Sequence, residues 1–112
     1  MQAKIVPYSD FFRENMLEET GKGCGWGTAY VYIEKGHPMF GKHFSEIQMI
    51  LTRMSPEFAA TGKQLTYSDI SADGNTWVVS IASDNINDDI INCSREIMTT
   101  TIQLIRDLLV SM

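Results

Sequence analysis

The sequence predicts an α+β domain: a small antiparallel sheet packed against a long C-terminal helix, with an N-terminal helix beside it. Three observations carry this. T-A-Y-V-Y-I-E at 28–34 and T-W-V-V-S-I-A-S at 76–83 are rich in β-branched and aromatic residues and alternate as strands do. Asp73-Gly74, a strong hairpin signal, sits just before the second run. From about Ser94 onward, Ile97, Met98, Ile102, Ile105, Leu108, Leu109 and Met112 recur at helical spacing.

Taken in order, residues 1–8 read as a short lead-in, because Pro7 disfavours helix before it. Ser9 or Asp10 is suited to cap a helix carrying Phe12, Met16 and, less squarely, Leu17 on one face, and Gly21 and Gly23 stop it. The run 28–34 is the clearest strand, with Ala29, Val31 and Ile33 on one face and Thr28, Tyr30, Tyr32 and Glu34 on the other. Gly36 and Pro38 mark a turn. F-S-E-I-Q-M-I-L-T-R-M at 44–54 fits two patterns: a helix capped by Ser45 with Ile47, Ile50, Leu51 and Met54 on one face, or a strand alternating Ile47, Met49 and Leu51. Residues 55–63 read as a loop with a short turn, with Pro56 and Gly62 as breakers. Residues 64–70 read as a strand with Leu65, Tyr67 and Asp69 on one side. In 76–83, Val79 and Ile81 face one way and Val78, Ser80 and Ala82 the other, with Trp77 a core residue near the start.

Length and charge bound the function. The chain has 112 residues, one domain's worth, and 44% are hydrophobic, which suffices for a single core. A net charge of −5 argues against a general binder of nucleic-acid backbones. No apolar run reaches the ~20 residues of a membrane span, and residues 1–10 hold no signal-type apolar segment. Cys24 and Cys93 make no disulfide framework. The expectation is a cytoplasmic protein with reduced thiols and no membrane partner.

The unusual residues concentrate between Gly21 and His43, which hold six of the eight glycines and both histidines. The alternating Gly21, Gly23, Gly25 and Gly27 match neither the dinucleotide fingerprint nor a P-loop. They suit either a flexible strand entry or a backbone surface that approaches a ligand closely. Trp26, Tyr30 and Tyr32 offer flat rings for stacking, and Lys35, His37, Lys42 and His43 offer cationic or hydrogen-bonding groups for an anion. These seven are the candidate ligand-binding residues. Cys24, His37 and His43 are spaced like half of a zinc finger, but Glu19, Thr20 and Gly21 stand where the partner cysteine belongs. Asp84, Asp88 and Asp89 lack the glycine and distal glutamate of a calcium loop. No metal, cofactor or catalytic residue is therefore assigned. An enzyme would need the fold to pair His37 with Asp84 or with Cys24.

Residues 30–47, Y-V-Y-I-E-K-G-H-P-M-F-G-K-H-F-S-E-I, resemble a stretch in small proteins of tailed phages and prophages. That family's pattern is roughly G-Y-V-x-[IV]-P-K-G-H-P-L-Y-G-K-x-Y-x-x-I. Lys35, Gly36, His37, Pro38, Gly41, Lys42 and Ile47 match it, and Met39, Phe40 and Phe44 are conservative replacements. Leu65, Thr66, Tyr67 and Ser68 fit its L-T-[FY]-S segment, and Trp77 and Asp84 echo its tryptophan strand and acidic loop. Glu34 replaces a family proline, and residues 61–64 and 81–85 lack the family's His-Gly-Gly, strand acid and Cys-x-His.

The resemblance implies phage origin and a host-cytoplasmic setting, in which small proteins counter host defence. Joined to the residue cluster, it yields the expectation of a non-catalytic homo-oligomer that sequesters a small anionic nucleotide signal. The alternative is an acidic inhibitor of a host protein, with Glu14, Glu18, Glu19, Asp84, Asp88 and Asp89 as its rim.

Overall fold

The computed structural model describes residues 1–7, 27–82 and 95–112. Within them a four-stranded sheet is formed by β1 (Gln2–Pro7), β2 (Gly27–Glu34), β3 (Tyr67–Ile70) and β4 (Thr76–Ala82). The spatial order is β1-β2-β4-β3, and every neighbouring pair is antiparallel. Three helices accompany it: α1 (Phe44–Met54), α2 (Pro56–Ala60) and α3 (Arg95–Val110). This is the α+β arrangement the sequence predicts, with the C-terminal helix packed on β1 and β2. No described helix is long and apolar enough to cross a membrane. The expected helix after Ser9, the glycines before Gly27, both cysteines and the acidic 84–89 segment lie outside the described residues.

β2 holds the centre because its alternation is strict. Ala29, Val31 and Ile33 are fully buried on one face, against Val79 and Ile81 of β4. Ala3 and Ile5 of β1 pack beside them. Onto this face settle Met98, Ile102, Ile105 and Leu109 of α3, Ile47 and Leu51 of α1, and Phe58 of α2. Each such side chain contributes on the order of 1.5–3 kcal/mol by leaving water.

Residues 2–7, read from sequence as part of a lead-in, supply an edge strand. Q-A-K-I-V alternates too briefly to be read alone, but β2 provides its hydrogen-bond partners, and Pro7 falls at the strand end, where a missing N–H is tolerated.

Segment 44–54 is helical. A strand would put Met49 with Ile47 and Leu51, yet Met49 is 47% exposed while the other two are buried. The cap is His43 rather than Ser45: its Nδ1 accepts from the Ser45 amide at 3.2 Å. Glu46 in the first turn and Arg53 in the last complement the helix dipole.

Within residues 55–63, read as a loop with a short turn, the turn is the five-residue helix α2. Ser55 serves two helices at once: its amide donates to Leu51 O, and its hydroxyl accepts from the Phe58 amide. Pro56 starts α2 where no amide is needed.

The third strand is shorter than 64–70. Leu65 is buried and its amide donates to Gln48 Oε1 at 2.9 Å, so it belongs to the core beneath α1, whereas Tyr67 lies on the opposite face. Ser68 accepts from the Phe44 amide, which ties β3 to the start of α1.

The β3–β4 connection is organised by Asp73. Its carboxylate accepts from the Ser71 hydroxyl at 2.6 Å and the Asn75 amide at 3.0 Å, and Gly74 takes φ +75°. The Ser71 bond leads the causes that lower the Asp73 pKa. A carboxyl held low in the folded state stabilises above its unfolded value near 3.8 and loses that contribution as pH falls further. Urea denaturation followed from pH 6 to pH 2 should show stability falling below about pH 4, with the Asp73→Asn variant lacking that part of the fall. Separately, Leu51→Ala should cost about 2–5 kcal/mol and Met49→Ala less than about 0.5 kcal/mol in the same assay at neutral pH.

Candidate ligand-binding face

The alternation that buries Ala29, Val31 and Ile33 sends Thr28, Tyr30, Tyr32 and Glu34 to the side of the sheet away from α1, α2 and α3. Cross-strand register extends that face in rows. Lys4 of β1, Tyr30 of β2, Ser80 of β4 and Tyr67 of β3 lie opposite one another. The next row is Gln2, Tyr32, Val78 and Asp69. Small residues on β4 therefore sit between tyrosines on β2 and β3.

The result is a concavity of about 520 Å³ with Ser80 and Val78 as floor, Tyr30 and Tyr32 on one side and Tyr67 and Asp69 on the other. Tyr30 and Tyr32 stack with centroids 6.4 Å apart and planes 27° apart. Tyr67 is 46% exposed, and its hydroxyl donates to Asp69 Oδ2 at 3.1 Å. That bond is the main cause pushing the Tyr67 phenol above its usual pKa. The other oxygen, Oδ1, accepts from the Ile70 amide at 2.8 Å. β2 and β3 are two strand spacings apart, about 9.6 Å, which leaves the concavity open between their tyrosines. The described lining thus offers aromatic planes, hydroxyls and one carboxylate, groups that hold a ligand by stacking and hydrogen bonding.

The cluster drawn from sequence divides. Tyr30 and Tyr32 line this face, and Trp26 lies outside the described residues. Lys35, His37, Lys42 and His43 do not line it; they belong to the turn and the helix start that follow β2. Lys35 is exposed in the turn. His37 has both ring nitrogens engaged: Nε2 bonds Leu109 O at 2.7 Å and Nδ1 accepts from the Met39 amide at 3.0 Å. The Nδ1 bond requires the proton on Nε2, so Nε2 donates to the last turn of α3. Lys42 Nζ pairs with Glu46 at 3.1 Å, while its carbonyl accepts from Trp77 Nε1 at 2.8 Å. His43 caps α1.

K-G-H-P-M-F-G-K is thus a folded brace. His37 N–H donates to Glu34 O, Phe40 N–H to His37 O and Lys42 N–H to Met39 O, with Gly36 and Gly41 at φ +99° and +83°. Such φ values explain glycine at both places.

Tyr67, Asp69, Val78 and Ser80 line the concavity and are absent from the sequence-derived site; Lys4, also absent from it, shares Tyr30's row outside that lining. Alternation places Tyr67 and Asp69 on one face together, but their position across from Tyr30 is a matter of strand order. Among the described residues, no three His, Cys, Asp or Glu side chains converge as a metal site.

Comparison with protein-family models, curated proteins and solved structures returned no match.

His37→Ala removes the link between the post-β2 turn and α3 and leaves the Leu109 carbonyl with the Met112 amide at 3.3 Å. It should lower stability by about 1–3 kcal/mol, while Lys35→Ala changes it by less than about 0.5 kcal/mol, both read from denaturant midpoints.

Proposed function

We propose that this protein is a non-catalytic binder that sequesters a small nucleotide signal, with the tyrosine face of its sheet as the site. The observation that carries the reading is the concavity between Tyr30, Tyr32 and Tyr67. Its size falls within the ~300–1,000 Å³ of ordinary small-molecule sites. Stacking on aromatic side chains is the sequence-tolerant way to hold a base and is worth about 1–3 kcal/mol per base. Lys4, next to Tyr30 across the β1–β2 ladder, supplies a cation beside the rings.

The K-G-H-P-M-F-G-K motif supports the setting, a phage protein acting against host defence in the host cytoplasm. Because its residues brace the fold, the motif speaks for kinship of fold, and the site is read from the sheet. A symmetric homo-oligomer would enclose a ligand lying on so open a face.

The alternative, an inhibitor of a host protein, is favoured by one observation. β3 is an edge strand on which Tyr67 and Ile70 are 46% and 44% exposed on either side of Asp69, and an exposed strand edge is a template for a partner chain. The acidic rim read from sequence lies outside the described residues.

The deciding experiment is a recovery assay. The purified protein is mixed with linear and cyclic nucleotides, freed of unbound ligand and heat-denatured, and the released ligand is chromatographed. Intact nucleotide in stoichiometric amount is expected, with Tyr30→Ala and Tyr32→Ala each weakening retention about tenfold, the equivalent of ~1.4 kcal/mol. No retention of any nucleotide would overturn the reading and direct the search to salt-sensitive host-protein capture; a converted nucleotide would make the protein an enzyme.

A further inference from the structure

The tyrosine face is electrically and chemically polarised from one edge to the other. Lys4 stands on the β1 edge and Asp69 on the β3 edge, in adjacent rows of the sheet. Three strand spacings, about 14 Å, separate the two edges. Lys4 is outside the concavity's lining and lines, with Gln103 and Arg106, a groove between β1 and α3, so it marks the outer rim of the face.

Asp69 is held in place by two bonds, from the Tyr67 hydroxyl to Oδ2 and from the Ile70 amide to Oδ1. A carboxylate has about four lone-pair positions, so both oxygens keep accepting capacity. It has no donor to offer. A ring edge meeting it must therefore carry donors. The exocyclic amines of adenine, cytosine and guanine do. Uracil presents its single ring N–H between two carbonyls, whose lone pairs oppose the carboxylate.

We infer, on the basis of the nucleotide-binding reading above, that a nucleotide lies across the strands with an amino-bearing base over the concavity between Tyr30 and Tyr67, its amine on Asp69 and its phosphate toward Lys4. Asp69 is the residue that selects the base and Lys4 the one that senses the phosphate. Tyr67, tethered through its hydroxyl, is the wall on the β3 side. The opposite orientation would set the phosphate against Asp69 and leave the base amine facing Lys4, repulsive at both ends.

The test is calorimetric titration of the full chain with AMP, CMP, UMP and adenosine. AMP and CMP should bind at least about tenfold more tightly than UMP. Asp69→Asn, which gains a donor and keeps an acceptor, should bring AMP and UMP to within about twofold of each other by weakening the first and strengthening the second. Lys4→Gln should weaken AMP several-fold and leave adenosine unchanged. Equal affinity of the wild-type protein for AMP and UMP overturns the base assignment and needs no variant. An Asp69→Asn protein that keeps the wild-type ratio does the same. Failure of all of these ligands to bind overturns the orientation even where the recovery assay retains some other nucleotide, whereas failure of that assay as well overturns the binding reading itself.

Discussion

The structure depends on the two faces of β2. Gly27–Glu34 is paired on both sides, by β1 and by β4, so its backbone groups are committed and its side chains divide strictly. Ala29, Val31 and Ile33 have no exposed surface. They form the floor on which α3, α1 and α2 set Ile105, Leu109, Ile47, Leu51 and Phe58. A shift of pairing by one residue would exchange this apolar set for Tyr30 and Tyr32, so burial and register enforce each other. The same constraint creates the candidate site, because the residues excluded from the core are the tyrosines.

The segment after β2 shows how a conspicuous motif can serve the fold. His37 has two hydrogen-bonding nitrogens, and both are used on main-chain partners. The carbonyl of Lys42 takes the indole N–H of Trp77, whose ring meets Phe40 at 6.3 Å. The turn is thereby fastened to the last turn of α3 on one side and to β4 on the other. Helix C-terminal carbonyls lack partners within their own helix, and at Leu109 the histidine and the Met112 amide meet that need. Residues that stand out chemically in the sequence therefore act as braces.

Electrostatics point the same way. The net charge is −5, yet a lysine on β1 lies in the same row as Tyr30, which the proposed phosphate contact uses. In the proposed binding mode Asp69 on the far edge is the discriminating acceptor. Local groups can oppose the global sign of charge, and here the sheet sorts lysine and aspartate by strand.

Much of the architecture is legible in the sequence. The alternation of 28–34 and 76–83, Asp73-Gly74 and the C-terminal apolar stripe each encode a local structure, because the periodicity of burial follows directly from strand or helix geometry. The paired tyrosines of the site are legible for the same reason. Other features depend on partners distant in the chain. Residues 2–7 become a strand because β2 stands beside them, and 44–54 become a helix because Ile47 and Leu51 meet the core where Met49 does not. The roles of His37 and Lys42 are set by Leu109 and Trp77, which lie 72 and 35 positions away. Above all, the order β1-β2-β4-β3 brings Lys4, Tyr30, Ser80 and Tyr67 into one row. By itself the sequence determined which residues share a strand face, since side-chain period is a property of each strand alone. Only the tertiary structure decided which strands lie next to one another, because pairing is settled by long-range backbone hydrogen bonds and shared burial, and with it which residues form the site.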